Sequence, residues 1–132
     1  MTDTADEAEQ GLVGVLVCDD NAAIRDVLTL IIEVDDRLAV GGYAADGNEA
    51  IAEAERLRPQ VITLDLAMPR LTGLEALPEL RAVAPEAAIV VFSAFAAPEV
   101  VDEVLRLGAS SYVQKGGPMT DLVRAIIACL DR

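Results

Sequence analysis

Five polar residues of this chain have types and positions that suit cation-assisted phosphoryl chemistry. They follow or end short apolar runs, and they are Asp19, Asp20, Asp65, Ser93 and Lys115. Carboxylates can bind a hard cation or attack phosphorus, whereas a hydroxyl and an ammonium can stabilise the charge of a phosphoryl group. The fold must therefore bring these five residues together if they are to act jointly.

The residue types that are missing exclude other kinds of chemistry. The chain has no histidine, which removes histidine bases, catalytic triads and the commonest zinc ligand. Its only lysine among ten basic residues is Lys115, so a compact ammonium occurs at a single position. Cys18 and Cys129 lack the spacing of a metal or redox pair, and we expect reduced thiols without a functional role.

Length and charge favour one acidic domain. A chain of 132 residues, 53% hydrophobic, can bury a core of its own. The net charge of −13 predicts no direct binding to nucleic acid or to an anionic membrane, since both would repel it. No apolar run of about 18 residues and no secretion signal is present, so we expect a cytoplasmic protein. Residues 1–12 are predicted to be a disordered acidic leader to a domain spanning 13–132.

Hydrophobic periodicity predicts an alternation of strands and helices. The predicted strands are Val13–Cys18, Leu38–Tyr43, Val61–Leu64, Ala88–Phe92 and Ser111–Gln114. Amphipathic helical stripes separate them. Five β and five α elements in this order predict an α/β fold, a single doubly wound domain whose parallel sheet has helices on both faces.

Local signals mark several helix boundaries. They are a capping box of Thr72 with Glu75, a looser one of Asp46 with Glu49, proline at the first helical position at Pro98 and Pro118, and a helix stop at Gly108. Pro78 falls inside the third helical pattern. Because proline removes a helical hydrogen bond, we expect that helix either to bend or to begin late.

The polar residues that end strands should meet at one edge of such a sheet. Ligands of open α/β sheets bind beyond the carboxyl ends of the strands, and neighbouring strands lie about 4.8 Å apart. Three carboxylates there would repel one another without a cation. Mg²⁺ suits them better than Ca²⁺, which normally takes more protein oxygens. We therefore predict a Mg²⁺ site at Asp19, Asp20 and Asp65.

Four motifs in order give the chain a specific resemblance. They are DD at 19–20, DLAMPRLTG at 65–73, FSA at 92–94 and YVQKG at 112–116. In type and spacing they resemble the receiver domain of two-component response regulators, the CheY-like superfamily, over nearly all of 13–130. The Lys-Gly pair at 115–116 leans toward the LuxR/NarL type of transcriptional regulator. The resemblance implies a flavodoxin-like (βα)5 domain with strand order 2-1-3-4-5.

The resemblance also implies roles for single residues. Asp65 would be the phosphoacceptor, with Ser93 and Lys115 holding the phosphoryl group. Asp20 would bind Mg²⁺ directly, Asp19 mostly through water, and Ala67 through its backbone carbonyl. The donor would be a phosphohistidine on a sensor histidine kinase or a phosphotransfer protein. Such a domain is a signalling phosphoacceptor, which catalyses only its own phosphorylation and dephosphorylation.

The resemblance also implies a conformational switch at the fifth strand, the edge of the sheet opposite strand two. Tyr112 would change rotamer as Ser93 moves toward the phosphate, altering the face of the fourth helix, fifth strand and fifth helix. Two alternatives remain for the readout: a stand-alone regulator, or a receiver joined to a DNA-binding output domain beyond this chain. A phosphorylation-dependent dimer is a family expectation.

Three positions depart from the usual pattern. Gly116 stands where family members usually have a proline with a cis bond, and since a non-proline cis bond costs roughly 2.5–4 kcal/mol, the geometry after Lys115 stays open. The resemblance implies that Phe95 and Ala67 occupy the two positions that influence how attacking water reaches the phosphoryl group. We hypothesise that this bulky and this small side chain together give a comparatively long-lived phosphorylated state.

Other classes of function fit the sequence less well. A degenerate receiver would act only as a docking module, but the acidic set is complete. A Mg²⁺-dependent phosphohydrolase with a nucleophilic aspartate would place a second aspartate where this chain has Ala67. A Rossmann nucleotide-binding domain needs glycines after its first strand, whereas Gly11 and Gly14 come before and at the start of it.

Overall fold

The computed structural model describes residues 11–95 and 97–131, so the predicted leader at 1–12 lies almost wholly outside the described residues. The strands are β1 (Val13–Cys18), β2 (Leu38–Ala44), β3 (Val61–Leu64), β4 (Ala88–Ser93) and β5 (Ser111–Gln114). The helices are α1 (Ala22–Ile32), α2 (Gly47–Leu57), α3 (Gly73–Val83), α4 (Pro98–Arg106) and α5 (Thr120–Leu130). No helix in this part of the chain is long and apolar enough to cross a membrane.

All five strands form one parallel sheet in the order β2-β1-β3-β4-β5. The α/β class, the doubly wound arrangement and the implied strand order are thereby confirmed. Three strand ranges agree with prediction, while β2 and β4 each extend one residue further, to Ala44 and Ser93. Cys18 pairs with Leu64 and Leu64 with Val91, so the residues that follow β1 and β3 lie side by side.

Two apolar clusters hold the helices on the two faces of the sheet. Leu16 and Cys18 of β1 belong to the cluster under α2, α3 and α4, whereas Val15 and Val17 belong to the cluster under α1 and α5. This alternation follows from the two-residue period of a strand. Both faces of β1 are buried, which explains why its sequence is a nearly continuous apolar run.

Most predicted helix boundaries are confirmed. Thr72 and Glu75 form the complete capping box of α3, and Asp46 accepts the Glu49 N–H at the start of α2. Pro98 is the first residue of α4. Gly108 lies just beyond its end with φ +120°, a left-handed conformation that glycine adopts without a side-chain clash.

Two boundary predictions need correction at prolines. The prediction that Pro118 starts the fifth helix is wrong, because its carbonyl first accepts the Asp121 N–H at 3.0 Å in a tight turn and α5 begins only at Thr120. The late start considered for the third helix is also wrong, since α3 begins at Gly73, five residues before Pro78. The capping box and the burial of Leu80 offset the one hydrogen bond that proline removes.

Candidate functional site

Two aspartates continue the sheet by one residue beyond β1 and β3. The Asp19 N–H donates to the carbonyl of Ala44 at 2.9 Å, and the Asp65 N–H donates to the carbonyl of Cys18 at 3.0 Å. Both side chains are nearly buried, Asp19 with 2% and Asp65 with 6% of its surface exposed. Backbone pairing thus fixes two carboxylates at the carboxyl edge of the sheet.

Asp20 completes a cluster of three carboxylates. One oxygen each of Asp19, Asp20 and Asp65 lies within 4.8 Å of the others, and Asp20 is exposed while its two partners are buried. The predicted metal-ligating side chains are therefore brought together. Hard oxygen donors at a site open to solvent fit Mg²⁺, which binds few protein carboxylates and keeps waters or phosphate oxygens as further ligands.

Lys115 reaches the same cluster from the loop after β5. Its Nζ donates to Asp19 Oδ2 at 2.7 Å and to Asp65 Oδ2 at 3.1 Å. The ammonium also lies 5.7 Å from the centre of the Phe92 ring, within the range of a cation–π contact. Because one ammonium faces three carboxylates, the cluster keeps a net negative charge that attracts a cation.

Burial and charge act differently on the two partners of this ion pair. Burial raises the pKa of Asp65, and the hydrogen bonds from the Ala67 N–H and the Lys115 ammonium offset this only in part. Burial alone would lower the pKa of Lys115, but its hydrogen bonds to Asp19 and Asp65 outweigh this effect and raise it. The lysine therefore stays charged at neutral pH.

The remaining predicted residues lie at the end of β4 and in the loops that follow β4 and β3. Ser93 is the last residue of β4 and fully buried, and its Oγ is 3.4 Å from the N–H of Phe95. The Ala67 N–H donates to Asp65 Oδ1 at 3.2 Å. Phe95 is 55% exposed and Ala67 is also exposed. Both residues are accessible to solvent in the loops that follow β4 and β3.

Tyr112 of β5 packs against the cluster under α2, α3 and α4. Its hydroxyl is buried and has no hydrogen-bond partner among residues 11–95 and 97–131. Burial and, secondarily, the charge of Asp65 raise its pKa. An unpaired buried hydroxyl costs roughly 1–3 kcal/mol, which favours any second rotamer in which it gains a partner.

At two positions of the site the backbone conformation or the close packing requires glycine. The Lys115–Gly116 bond is trans, which answers the question left open by the sequence, and Gly116 has φ +102°, a conformation that glycine tolerates. At Gly73 a Cβ atom would overlap the carbonyl oxygen of Asp65. The last glycine of DLAMPRLTG is thus required for α3 to start directly against the residue that follows β3.

Several supporting contacts were not predicted. The Asn21 N–H donates to Asp19 Oδ1 at 2.9 Å, and Arg25 Nη1 donates to the Asp19 carbonyl at 2.7 Å. Asp46, identified only as a helix cap, also pairs with Arg70. Arg25 lies in no motif, and Arg70 lies within DLAMPRLTG at a position for which the sequence predicts no role. Their partners are therefore identified only from the folded structure.

Comparison with known proteins gives a consistent result. The family profile of the response regulator receiver domain matches residues 15–127. The chain is 33% identical to the chemotaxis protein CheY of Thermotoga maritima, covering 85% of this chain and 92% of that protein. It is 34% identical to the transcriptional regulatory protein YxjL of Bacillus subtilis, covering 88% of this chain and 53% of that protein.

A solved structure shows the same similarity. The response regulator domain of Thermotoga maritima CheB superposes with a TM-score of 0.77 at 34% identity, covering 91% of this chain and 92% of that one. The first curated relatives are longer than this chain, which spans 53% of YxjL and 30% of a protein-glutamate methylesterase of Maricaulis maris.

Proposed function

The chain belongs to the response regulator receiver domain family, and we propose that Asp65 is the residue on which it accepts a phosphoryl group. One observation carries the proposal: the Asp65 carboxylate lies within 4.8 Å of two further carboxylates and 3.1 Å from the ammonium of Lys115. A nucleophile, a cation site and a fixed positive charge therefore meet at one point.

The reaction is a direct transfer from a phosphohistidine on a sensor histidine kinase or a phosphotransfer protein. An oxygen of Asp65 forms a bond to phosphorus, the bond from phosphorus to the imidazole nitrogen breaks, and that nitrogen keeps the electron pair and takes up a proton. Lys115 neutralises phosphoryl oxygens while the Ser93 hydroxyl donates a hydrogen bond to one of them. The hydrogen bond of Lys115 to Asp65 and the position of Ser93 at the carboxyl end of the neighbouring strand β4 support these roles.

Asp19, Asp20, Asp65 and the carbonyl of Ala67 are the proposed ligands of Mg²⁺. The bound ion supplies charge neutralisation and orientation of the phosphoryl oxygens. The carboxylates and Lys115 have different roles. The carboxylates attract the cation, whereas the positive charge of Lys115 reduces the repulsion between the Asp65 carboxylate and an anionic phosphoryl donor.

The proposed output is a change at the face of α4, β5 and α5. When the Ser93 hydroxyl moves to hydrogen-bond a phosphoryl oxygen, it would leave space that the Tyr112 side chain can enter. The buried hydroxyl of Tyr112, which lacks a partner in the described residues, supports such a second rotamer. The similarity to a transcriptional regulatory protein supports an output that acts on transcription, and the proposed means is a C-terminal DNA-binding output domain outside this chain. Dimerisation through this face on phosphorylation and a cytoplasmic location follow from the same proposal.

The phosphoacceptor is tested by labelling with acetyl phosphate and Mg²⁺, followed by intact-mass measurement. We expect one phosphoryl group per wild-type chain and none on Asp65→Asn. Asp36→Asn, which changes an exposed aspartate beyond α1 at the opposite edge of the sheet, should be labelled normally. Labelling of Asp65→Asn at the wild-type rate would contradict the assignment.

Binding of a phosphoryl analogue distinguishes a receiver that accepts a phosphoryl group from a degenerate receiver that acts only as a docking module. Beryllofluoride with Mg²⁺ mimics the phosphorylated state, and we expect amide shifts at the site and across α4, β5 and α5. If neither labelling nor beryllofluoride produces a change in the wild type, the domain acts by docking alone.

The lifetime of the phosphorylated state should depend on Phe95. Because its exposed side chain lies two residues beyond Ser93, we propose that it shields the acyl phosphate, while Ala67 offers no group to orient water. Phe95→Ala should dephosphorylate several-fold faster, measured as decay of the labelled species after removal of the donor. Val34→Ala, a change at an apolar side chain that is 82% exposed at the other end of the sheet, is the matched control. Equal decay in Phe95→Ala and wild type would refute the role.

A further inference from the structure

Asp46 is a buried charge outside the candidate site. The charged side chains that are buried in the described part of the chain are Asp19, Asp65 and Asp46, and Asp46 is only 3% exposed. It precedes α2, at the same edge of the sheet as the carboxylate cluster. Burying a carboxylate is costly unless it is paired and hydrogen-bonded, so its partners show what it stabilises.

Its partners belong to two different segments. Oδ1 accepts the Glu49 N–H at 2.8 Å and so caps α2, while Oδ2 pairs with Nε of Arg70, which lies in the loop between β3 and α3. Arg70 has φ +63°, a left-handed conformation that costs a residue with a side chain roughly 1–2 kcal/mol. The ion pair is thus made by a residue whose backbone is held in an unfavourable conformation.

The loop that carries Arg70 is held at further points. The Gly47 N–H donates to the carbonyl of Leu71 at 2.7 Å, and the Gly73 N–H donates to the carbonyl of Leu66 at 3.0 Å. A Cβ on Gly47 would lie 2.6 Å from the Leu71 carbonyl oxygen, so this loop is in direct contact with the first residue of α2. Between these anchor points lies Ala67, whose N–H bonds the Asp65 carboxylate.

We propose that the Asp46–Arg70 ion pair positions the loop 66–72 for cation binding, which makes Arg70 and Asp46 positioning residues for the phosphoryl-transfer site. The inference rests on the proposed function, since it concerns the Mg²⁺ ligands of that site. The pair holds Arg70 in its left-handed conformation, and this conformation sets the path of the backbone that supplies the Ala67 carbonyl. Without the pair the loop relaxes toward ordinary backbone angles and the ligand set loses its fixed arrangement.

The test measures Mg²⁺ affinity of the unphosphorylated domain from amide shifts in an NMR titration with Mg²⁺ alone. Arg70→Ala keeps the side-chain clash of the left-handed conformation but removes the ion pair, and Asp46→Asn keeps a helix-capping oxygen but removes the charge. Each should weaken binding about tenfold, the lower end of the effect of losing an outer-shell partner. The double variant should bind no more weakly than either single one, because both remove the same interaction.

Arg58→Ala is the matched control. Among residues 11–95 and 97–131, Arg58 is the other arginine with positive φ, 51°, and it follows the last residue of α2, far from the site. Its loss should therefore leave Mg²⁺ affinity unchanged. Urea unfolding of all variants separates a general loss of stability from the specific loss of affinity. Arg70→Ala with wild-type affinity, or an additive double variant, would overturn the positioning role while the proposed function stands. A wild type that binds no Mg²⁺ would overturn both.

Discussion

Asp65 lies in surroundings that disfavour its charged form. Its carboxylate is nearly buried and faces two other carboxylates, and burial raises its pKa although Lys115 and the Ala67 N–H bond it. The folded domain therefore holds the Asp65 proton more tightly than the unfolded chain does. Ionising this residue therefore reduces the free energy of unfolding.

Asp65→Asn should consequently stabilise the domain at pH 7. The stabilisation arises as the pH rises from about 4, the ordinary value for an aspartate, through the raised pKa of Asp65, because only the wild type must then ionise a buried group. The difference in the free energy of unfolding should shrink toward pH 4. Urea denaturation at several pH values in the presence of a chelator measures it, and a variant less stable than wild type at pH 7 would refute the argument.

Asp35 offers a control in which the pKa shift, and so the expected change in stability, has the opposite sign. Hydrogen bonds from Arg37 lower the pKa of Asp35 to about 2, so its carboxylate contributes stability above about pH 4 that is lost as the pH falls toward 2. Asp35→Asn should therefore lower the free energy of unfolding at pH 7, with a smaller deficit in acid. The same denaturation series checks both variants.

The side chains of the site were predictable because each ends or follows a buried strand. Asp19, Asp65 and Ser93 needed only the period of the apolar runs and the rule that parallel strands present their carboxyl ends together. The contacts of Arg25 and Arg70 were not predictable in this way. A surface arginine has no periodic signature, and its partner depends on a loop conformation that the local sequence does not specify.

On the scale of the secondary-structure elements, hydrogen bonds of Arg81 connect α3 to its neighbours. Arg81 Nε and Nη2 donate to the Gly108 carbonyl at 3.1 and 2.7 Å, and Nη1 donates to the Ala87 carbonyl at 2.7 Å. These bonds join the end of α3 to the start of β4 and to the turn after α4. Burial lowers the pKa of Arg81, consistent with a guanidinium taken partly out of water to serve these carbonyls.

Arg81→Ala should destabilise the domain by about 2 kcal/mol, since hydrogen bonds to a charged group contribute roughly 1.5–3 kcal/mol and several carbonyls lose their donor. Arg106→Ala is the comparison, because Arg106 is exposed and its nearest carboxylate oxygen, on Glu103, is 3.6 Å away. Its effect should stay within about 0.5 kcal/mol. Urea denaturation of the two variants decides, and equal stabilities would contradict the role of Arg81.

Element predictions succeeded where periodicity was long and failed where a turn intervened. The five strands were correct to within one residue because each is an apolar run with clear ends. The start of α5 was misplaced because Pro118 is compatible with a helix start and with the preceding turn alike. The contact of Arg81 with Gly108 spans 27 residues, and no local pattern encodes it.

On the scale of the whole molecule, repulsion among like charges opposes folding. The net charge is −13, and the exposed ion pairs contribute little to offset it. Raising KCl from about 20 to about 500 mM should therefore increase the melting temperature, because salt screens this repulsion. Calorimetry with a chelator present tests this. A lower melting temperature at high salt would mean that attractive pairs dominate the stability of the fold.

The position of Lys115 has a further consequence for covalent modification. It is the only lysine in these 132 residues, and its ammonium bonds Asp19 and Asp65. Any acetylation of a lysine side chain within this sequence therefore removes the positive charge from the carboxylate cluster proposed as the phosphoryl-transfer site. In most proteins lysine acetylation is distributed over many surface lysines. Here the fraction of chains acetylated at Lys115 would equal the fraction of domains that have lost this charge.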